Sequence, residues 1–136
     1  MAKEKVIVGR HEYVAFPELG FTEVSAKIDT GAYTSSMHCN SIQETEEGII
    51  CVFSEPFFGN NSKEYLFESY KERRVKSSNG IVERRYSVKT RIELLGKVYS
   101  IELTLTDRSL MKHPILIGRK FLNKKIIVDV SRKYQG

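Results

Sequence analysis

Residues 26–36, AKIDTGAYTSS, join an alternating apolar run to an aspartate and a glycine-containing turn. Asp29 is followed at once by Thr30, Gly31 and Ala32. Glycine lets the backbone turn sharply and leaves no side chain to crowd the carboxylate. The alternative is a simple turn that ends a strand, because Asp, Thr and Gly are all turn formers. The tripeptide Asp-(Thr or Ser)-Gly arises by chance in roughly one chain of this size in twenty. The motif alone therefore does not decide between a catalytic loop and a simple turn.

Two later segments accompany this loop. Residues 75–88, VKSSNGIVERRYSV, have two strand-like arms around a small, polar tip at residues 77–80. Residues 113–122, HPILIGRKFL, place aliphatic residues directly before Gly118 and Arg119, and an apolar helix start follows. The chain therefore runs from an aspartate loop through a glycine-bearing hairpin and an aliphatic-Gly-Arg segment to a short helix and a final strand.

This order resembles the retroviral-type (retropepsin-like) aspartic proteases. The resemblance implies a catalytic loop of Asp29, Thr30 and Gly31, a flap formed by the hairpin, and one active site shared by a homodimer. It implies that three residues pack against the loop and support it: Ile117, Gly118 and Arg119. It also implies a peptide or protein substrate in contact with residues of the loop and the flap, which are Ala32, Ser78, Asn79, Gly80 and Arg84.

Three blocks carry a closer resemblance: KIDTGAYTSSMHC, TLTDRSLMKHPILIGRKFL and IIVDVSRKY. They are similar to a bacterial family of the same clan that is named for ATP-dependent zinc proteases. Members of that family accompany RimK-type glutamate ligases in some genomes, so the resemblance implies such a ligase as a partner.

The residues themselves favour neither ATP nor zinc. The chain has no GxxxxGK[ST] phosphate loop. It has neither HExxH nor CxxC, and zinc needs three or four ligands at workable spacing. We predict no cofactor and no metal, with a composite zinc site as the weaker alternative. That site would draw on His11, His38, Cys39, Cys51 and His113. The two cysteines are expected as buried free thiols, and a disulfide between neighbouring strands is the alternative.

Two positions depart from the retroviral pattern. Tyr33 stands where an aspartate commonly follows the loop, and Lys120 stands where an asparagine or aspartate follows Gly-Arg. The ion pair that Arg119 makes in retroviral enzymes therefore lacks its usual partner, which leaves the mode of dimerisation and the catalytic competence open. Asp107 and Asp129 are the other carboxylates that could take this place.

Charge is concentrated in one segment. The whole chain carries +5, whereas residues 71–91 carry eight Lys and Arg against two Glu, a formal charge of +6. This segment overlaps the expected flap, which favours an acidic substrate. The association of the similar family with glutamate ligases implies glutamate-rich segments in particular. A solvated hairpin whose charges block edge pairing explains the same pattern. Nucleic acid ranks last as a ligand, because only Tyr86 is available there for base stacking. A non-catalytic domain that binds a peptide or a ligase partner is the main alternative to a peptidase.

Frequent turns and short alternating runs predict a closed or sandwich-like all-β domain. The resemblance implies a single-domain, retropepsin-like closed barrel over residues 1–136, with a flap hairpin and one short C-terminal helix. The predicted helix covers residues 119–125, and residues 63–74 fit either a helix or strands. No run is long and apolar enough to span a membrane, and the N-terminus has no apolar signal-peptide core, so we expect a cytoplasmic protein. Strands are expected at residues 5–8, 13–16, 22–28, 49–54, 64–68, 84–94, 98–106, 115–117 and 126–130.

Overall fold

The computed structural model describes residues 5–54, 57–58, 62–76, 79–106, 112–123 and 125–134. Within these residues the chain forms twelve strands and one short α-helix, with a 3₁₀ turn at Pro17–Leu19. The elements are β1 (Val6–Val8), β2 (His11–Phe16), β3 (Phe21–Ile28), β4 (Ser35–His38), β5 (Ser41–Thr45), β6 (Gly48–Phe53), β7 (Lys63–Phe67), β8 (Lys71–Lys76), β9 (Val82–Leu94), β10 (Lys97–Thr106), β11 (Ile115–Ile117), α1 (Arg119–Leu122) and β12 (Ile126–Val128).

Six of these strands close into a barrel. Their order is β10-β4-β11-β3-β2-β9, and an antiparallel pairing between β9 and β10 closes the ring. Two pairings in the barrel are parallel, β4 with β10 and β3 with β11. The short helix α1 follows β11 directly. The predicted all-β closed barrel with one short C-terminal helix is confirmed.

The period-2 pattern of the sequence explains which residues form the core. Along β9, Val88, Thr90, Ile92 and Leu94 are buried, whereas the residues between them are exposed. Alternation of this kind places every second side chain on the same face of a strand. Each fully buried aliphatic side chain contributes about 1.5–3 kcal/mol relative to an exposed one. The alternation therefore places one face of β9 inside the barrel.

A three-stranded antiparallel sheet, β5-β6-β7, lies between β4 and the hairpin in the chain. The sequence pattern predicted β6 and β7 but missed β4 and β5. In β4, four consecutive residues are buried, so the strand shows no alternation, and three of them are polar. Residues 63–74, whose sequence fits either a helix or strands, form strands. Strand β7 ends at Phe67 and β8 begins at Lys71.

The two ends of the chain meet in a separate two-stranded sheet. Strands β1 and β12 pair in parallel, with Val6 opposite Ile126 and Val8 opposite Val128. Their outward side chains Ile7 and Ile127 are 42% and 47% exposed. This sheet leaves apolar surface open to other molecules. In the part of the chain that is described, no helix is long or apolar enough to cross a membrane, and the cytoplasmic location stays a prediction.

Candidate active site

The aspartate loop begins where β3 ends. The backbone N–H of Asp29 donates to the Ile117 carbonyl at 2.8 Å, which joins the loop to β11. The Gly31 N–H donates to the Asp29 carboxylate oxygen Oδ1 at 2.9 Å, and the Ala32 N–H donates to the Asp29 carbonyl at 3.3 Å. A Cβ at position 31 would lie only 3.2 Å from Oδ1. Glycine therefore lets the half-buried carboxylate accept a backbone hydrogen bond at close range.

The ILIG segment packs against the other side of this loop. The Gly118 N–H donates to Ser35 Oγ at 3.0 Å in a buried hydrogen bond. A Cβ at position 118 would lie 2.5 Å from the Thr34 carbonyl oxygen and 2.7 Å from that of Tyr33. Real Cβ atoms do not approach backbone atoms so closely, and a backbone cannot swing aside as a side chain can. Position 118 accepts only glycine in this arrangement.

Backbone hydrogen bonds continue this contact into α1. The Arg119 N–H donates to the Ala32 carbonyl at 2.8 Å, and the Lys120 N–H donates to the Tyr33 carbonyl at 2.9 Å. The Arg119 guanidinium Nη1 also donates to the Thr30 carbonyl at 3.0 Å. The first turn of α1 is thus bonded to three successive parts of the aspartate loop.

Arg119 meets an aromatic ring where retroviral enzymes have a carboxylate. Its guanidinium carbon lies 5.8 Å from the centroid of the Tyr33 ring, within the range of a cation–π contact. Asp129, one of the two alternative partners, instead pairs with Arg132 at 3.1 Å. The other, Asp107, lies outside the described residues. A carbonyl and an aromatic face therefore hold Arg119 beside the loop.

The hairpin predicted as a flap is formed by β8 and β9. The two strands pair from Lys71 opposite Ser87 to Lys76 opposite Val82. Among the described strands, β8 has β9 as its only neighbour. Of the predicted contact residues, Asn79, Gly80 and Arg84 are exposed, and Ser78 lies outside the described residues.

Glu102 of β10 connects this hairpin to α1. Its carboxylate accepts hydrogen bonds from Arg73 Nε on β8 at 2.9 Å and from Lys120 Nζ on α1 at 3.0 Å. The Ser87 hydroxyl on β9 donates to it as well. Burial of the side chain raises the pKa of Glu102, but the hydrogen bonds from Ser87, Lys120 and Arg73 outweigh burial and lower the pKa to about 2. Glu102 is therefore a stable carboxylate between the hairpin and the segment that supports the loop.

A cavity of about 420 Å³ opens beside this carboxylate. Tyr33 and Thr34 of the aspartate loop form one wall, and β10 and α1 form others. The charged side chains that line it are Arg73, Arg74, Glu102, Lys120 and Lys125. A strongly cationic recess thus lies next to the candidate catalytic loop.

Ser35 and Glu102 are the contributors that the sequence did not indicate. Ser35 sits on an all-buried strand with no pattern to mark it. Glu102 is the only charged residue within VYSIELTLT, but nothing local identifies its partners, which come from β8, β9 and α1.

The described residues contain no cluster of three His, Cys, Asp or Glu side chains that could hold a metal ion. His38 is buried, with Nε2 3.1 Å from Asn40 Oδ1. His11 and His113 stack on each other with ring centroids 4.3 Å apart. Cys39 and Cys51 are buried free thiols. These candidate ligands do not form the tetrahedral set that zinc requires.

Residues 7–135 match the family model described as RimB-like, retropepsin-like aspartic endopeptidase RimB. Relatives named probable alpha-L-glutamate ligase include one from Shewanella halifaxensis, 37% identical over 98% of this chain. Another, from Parasynechococcus marenigrum, is 34% identical over 96% of this chain. The chain spans only about 30% of the length of these curated relatives.

A solved structure with the same fold comes from Legionella pneumophila. It is a protein of unknown function in the group DUF785, 28% identical to this chain, with a TM-score of 0.72. The alignment covers 97% of this chain and 98% of that one.

Proposed function

The chain belongs to the RimB-like family of retropepsin-like proteins, and we propose that it is an aspartic peptidase whose active site combines Asp29 from each of two identical chains. One observation carries the proposal. The Asp29 carboxylate accepts a hydrogen bond from the Gly31 N–H on a loop that is bonded to β11 and α1. A turn that merely ended a strand would not need this support.

The chemistry follows from placing two such carboxylates together. Two carboxylates about 3 Å apart cannot both ionise comfortably, so the pair shares one proton. The ionised Asp29 removes a proton from a water molecule, which attacks the amide carbonyl carbon. The protonated Asp29 donates its proton to the carbonyl oxygen, which gives a gem-diol. The Asp29 that took the proton from water then donates it to the leaving nitrogen as the C–N bond breaks, and its partner takes a proton back from the gem-diol.

The surface around the loop supports association with a second copy. Thr30, which follows Asp29, is exposed and lies at the rim of an open recess of about 720 Å³. Leu122, Ile126 and Val128 contribute apolar surface to the same recess. Isologous contact between two copies buries the same patch on each chain, and here that patch adjoins the catalytic loop.

Charge and relatives together favour an acidic substrate. Residues 71–91 carry a formal charge of +6 and include all of β8 and most of β9. The relatives named as glutamate ligases contain this domain as about 30% of their length. Association with a RimK-type ligase would bring a glutamate-extended protein to the peptidase. We propose that glutamate-rich segments are its substrates and that such a ligase is its partner.

Hydrolysis of peptides with graded acidity tests the proposal. The wild type should cleave glutamate-rich peptides faster than neutral or basic ones, and Asp29→Asn should lose at least about 1,000-fold in rate because it removes the acid–base pair. The amide introduced by Asp29→Asn keeps an oxygen for the Gly31 N–H, so thermal stability should stay close to that of the wild type. Asp129→Asn, which changes charge at the C-terminal turn, should keep full activity. Equal rates for Asp29→Asn and wild type would contradict the peptidase.

A binding domain without catalysis is the alternative that one observation favours. Tyr33 is 58% exposed at the loop, where retroviral enzymes place a carboxylate for Arg119. If the protein only binds peptides, Asp29→Asn should leave peptide affinity unchanged and the wild type should release no product. Release of product by the wild type but not by Asp29→Asn would identify a peptidase rather than a binding domain.

A further inference from the structure

We propose that Glu102 occupies, in the free protein, the place of a substrate carboxylate, and that an acidic side chain of the substrate displaces it from Arg73 and Lys120. The cationic recess is then the subsite that selects an acidic residue. This inference rests on the proposed function for the identity of the ligand, but not on cleavage.

The recess lies where a bound peptide would place a side chain. One wall is formed by Tyr33 and Thr34, which directly follow the Asp29–Ala32 loop. Arg73 and Arg74 of the hairpin strand β8 also line it. A volume of about 420 Å³ falls within the range of small-ligand sites, and it is ample for one side chain. A segment lying between the loop and the hairpin can therefore direct a side chain into it.

The charges in the recess are unbalanced. Four cations, Arg73, Arg74, Lys120 and Lys125, face the single carboxylate of Glu102. Arg73 and Lys120 already bond to Glu102, whereas Arg74 makes no ion pair among the described residues. Like charges placed close together repel one another, so a second carboxylate would lower the energy of this cluster.

The exposure of Arg73 and Lys120 makes it feasible for them to exchange Glu102 for a substrate carboxylate. The side chains of Arg73 and Lys120 are 44% and 51% exposed, whereas that of Glu102 is only 16% exposed. The long cationic side chains can turn toward an incoming carboxylate without leaving solvent. Glu102 keeps the hydrogen bond from the Ser87 hydroxyl when they do so. An arginine that trades one carboxylate for another retains its charge-assisted hydrogen bonds.

Such an exchange would couple substrate recognition to the hairpin. Arg73 lies on β8 and Lys120 on α1, one residue after Arg119. Glu102 is the shared partner of these two cations. When a substrate carboxylate replaces Glu102 in these two bonds, the hairpin and the segment that supports the loop both contact the substrate directly.

The test is peptide binding in the Asp29→Asn background, where no cleavage interferes. The probes are a fluorescent tetraglutamate peptide and its tetraglutamine counterpart. Glu102→Gln removes the resident competitor and should tighten tetraglutamate binding about tenfold, the size of one charge-assisted hydrogen bond, with no change for tetraglutamine. Glu72→Gln makes the same change in net charge on β8, outside the residues that line the recess, and serves as the matched control.

A second variant covers the case in which Glu102→Gln fails to fold. Arg73→Gln should weaken tetraglutamate binding about tenfold, whereas Lys97→Gln, an equal loss of charge at the β9–β10 turn, should have a much smaller effect. Equal effects within either pair would overturn the subsite, because general electrostatics would then explain them. Selective binding by a wild type that cleaves nothing would uphold the subsite and refute the peptidase. If the wild type cleaves acidic peptides but each variant binds tetraglutamate as its control does, the peptidase would be upheld and the subsite refuted.

Discussion

The aspartate loop and the β8–β9 hairpin are held in opposite ways. The loop is bonded through backbone groups to β11 and α1, with donor–acceptor distances of 2.8–2.9 Å for Asp29, Arg119 and Lys120. Strand β9 of the hairpin belongs to the barrel, whereas β8 is paired only with β9 among the described strands and is otherwise held through side chains, chiefly the ion pair of Arg73 with Glu102. Backbone contacts fix geometry, whereas exposed ionic contacts exchange easily. The Asp29 carboxylate that we propose to be catalytic is therefore preorganised, and β8, the outer strand of the hairpin expected to close over substrate, is linked to the barrel by replaceable ionic bonds.

Glycine-to-alanine substitutions in the two regions give the largest contrast. Gly118→Ala should lower the free energy of unfolding by about 2–3 kcal/mol, because overpacking forces backbone atoms apart, and should impair activity as well. Gly80→Ala meets no atom within 4 Å but adopts a positive φ of 84°, so it should cost about 1 kcal/mol. Urea unfolding measures both. Equal losses would mean that the loop is no more tightly packed than the hairpin.

Removal of the Arg119 guanidinium should have an intermediate effect. Arg119→Met breaks the hydrogen bond to the Thr30 carbonyl and the contact with the Tyr33 ring. We expect a loss of about 1 kcal/mol in stability and a larger proportional loss in peptide hydrolysis, because the bond ends on the loop whose Asp29 we propose to be catalytic. The matched control is Arg10→Met, at an exposed position between β1 and β2 and outside the basic segment 71–91, which should behave like wild type. Undiminished hydrolysis by Arg119→Met would remove Arg119 from the support of the loop.

Acid should loosen the hairpin at its base by a smaller amount. The folded-state pKa of Glu102 is lowered from 4.5 to about 2, so its contribution to stability is fully present above pH 4.5 and is lost as the pH falls toward 2. Solvent screening limits this contribution to about 1 kcal/mol. Between pH 5 and pH 2.5, Glu102→Gln should therefore lose less stability than wild type in chemical unfolding. Glu72→Gln should lose as much as wild type, and an identical loss in Glu102→Gln would contradict the role of the carboxylate.

Local chemistry explains why the sequence predicted the barrel and the loop. Alternation along β9 and β10 reports directly on which face is buried, and turn residues mark where the strands end. Asp29 and Gly31 are recognisable because the hydrogen bond between them joins residues two positions apart. Gly118 was indicated only by the resemblance, because the carbonyls that require a glycine there belong to Tyr33 and Thr34, far away in sequence.

Features assembled from distant parts of the chain escaped prediction. Strand β4 is buried on both faces, so its pattern does not alternate. The bonds of Glu102 join residues 29 and 18 positions apart in sequence, Arg73 and Lys120. Such partners become visible only when the barrel brings β8, β10 and α1 together. The replacement of a carboxylate by Tyr33 was visible in the sequence, but the contacts that Arg119 makes instead were not.

Mixing wild-type and Asp29→Asn subunits tests most directly whether two chains share one active site. At equal amounts and after subunit exchange, random pairing leaves about one quarter of the dimers with two wild-type chains. If both Asp29 carboxylates are needed, activity per active-site pair should fall to about one quarter of the wild-type value at the same total protein concentration. Activity of about one half, the value expected when each chain acts alone, would contradict the shared aspartate pair.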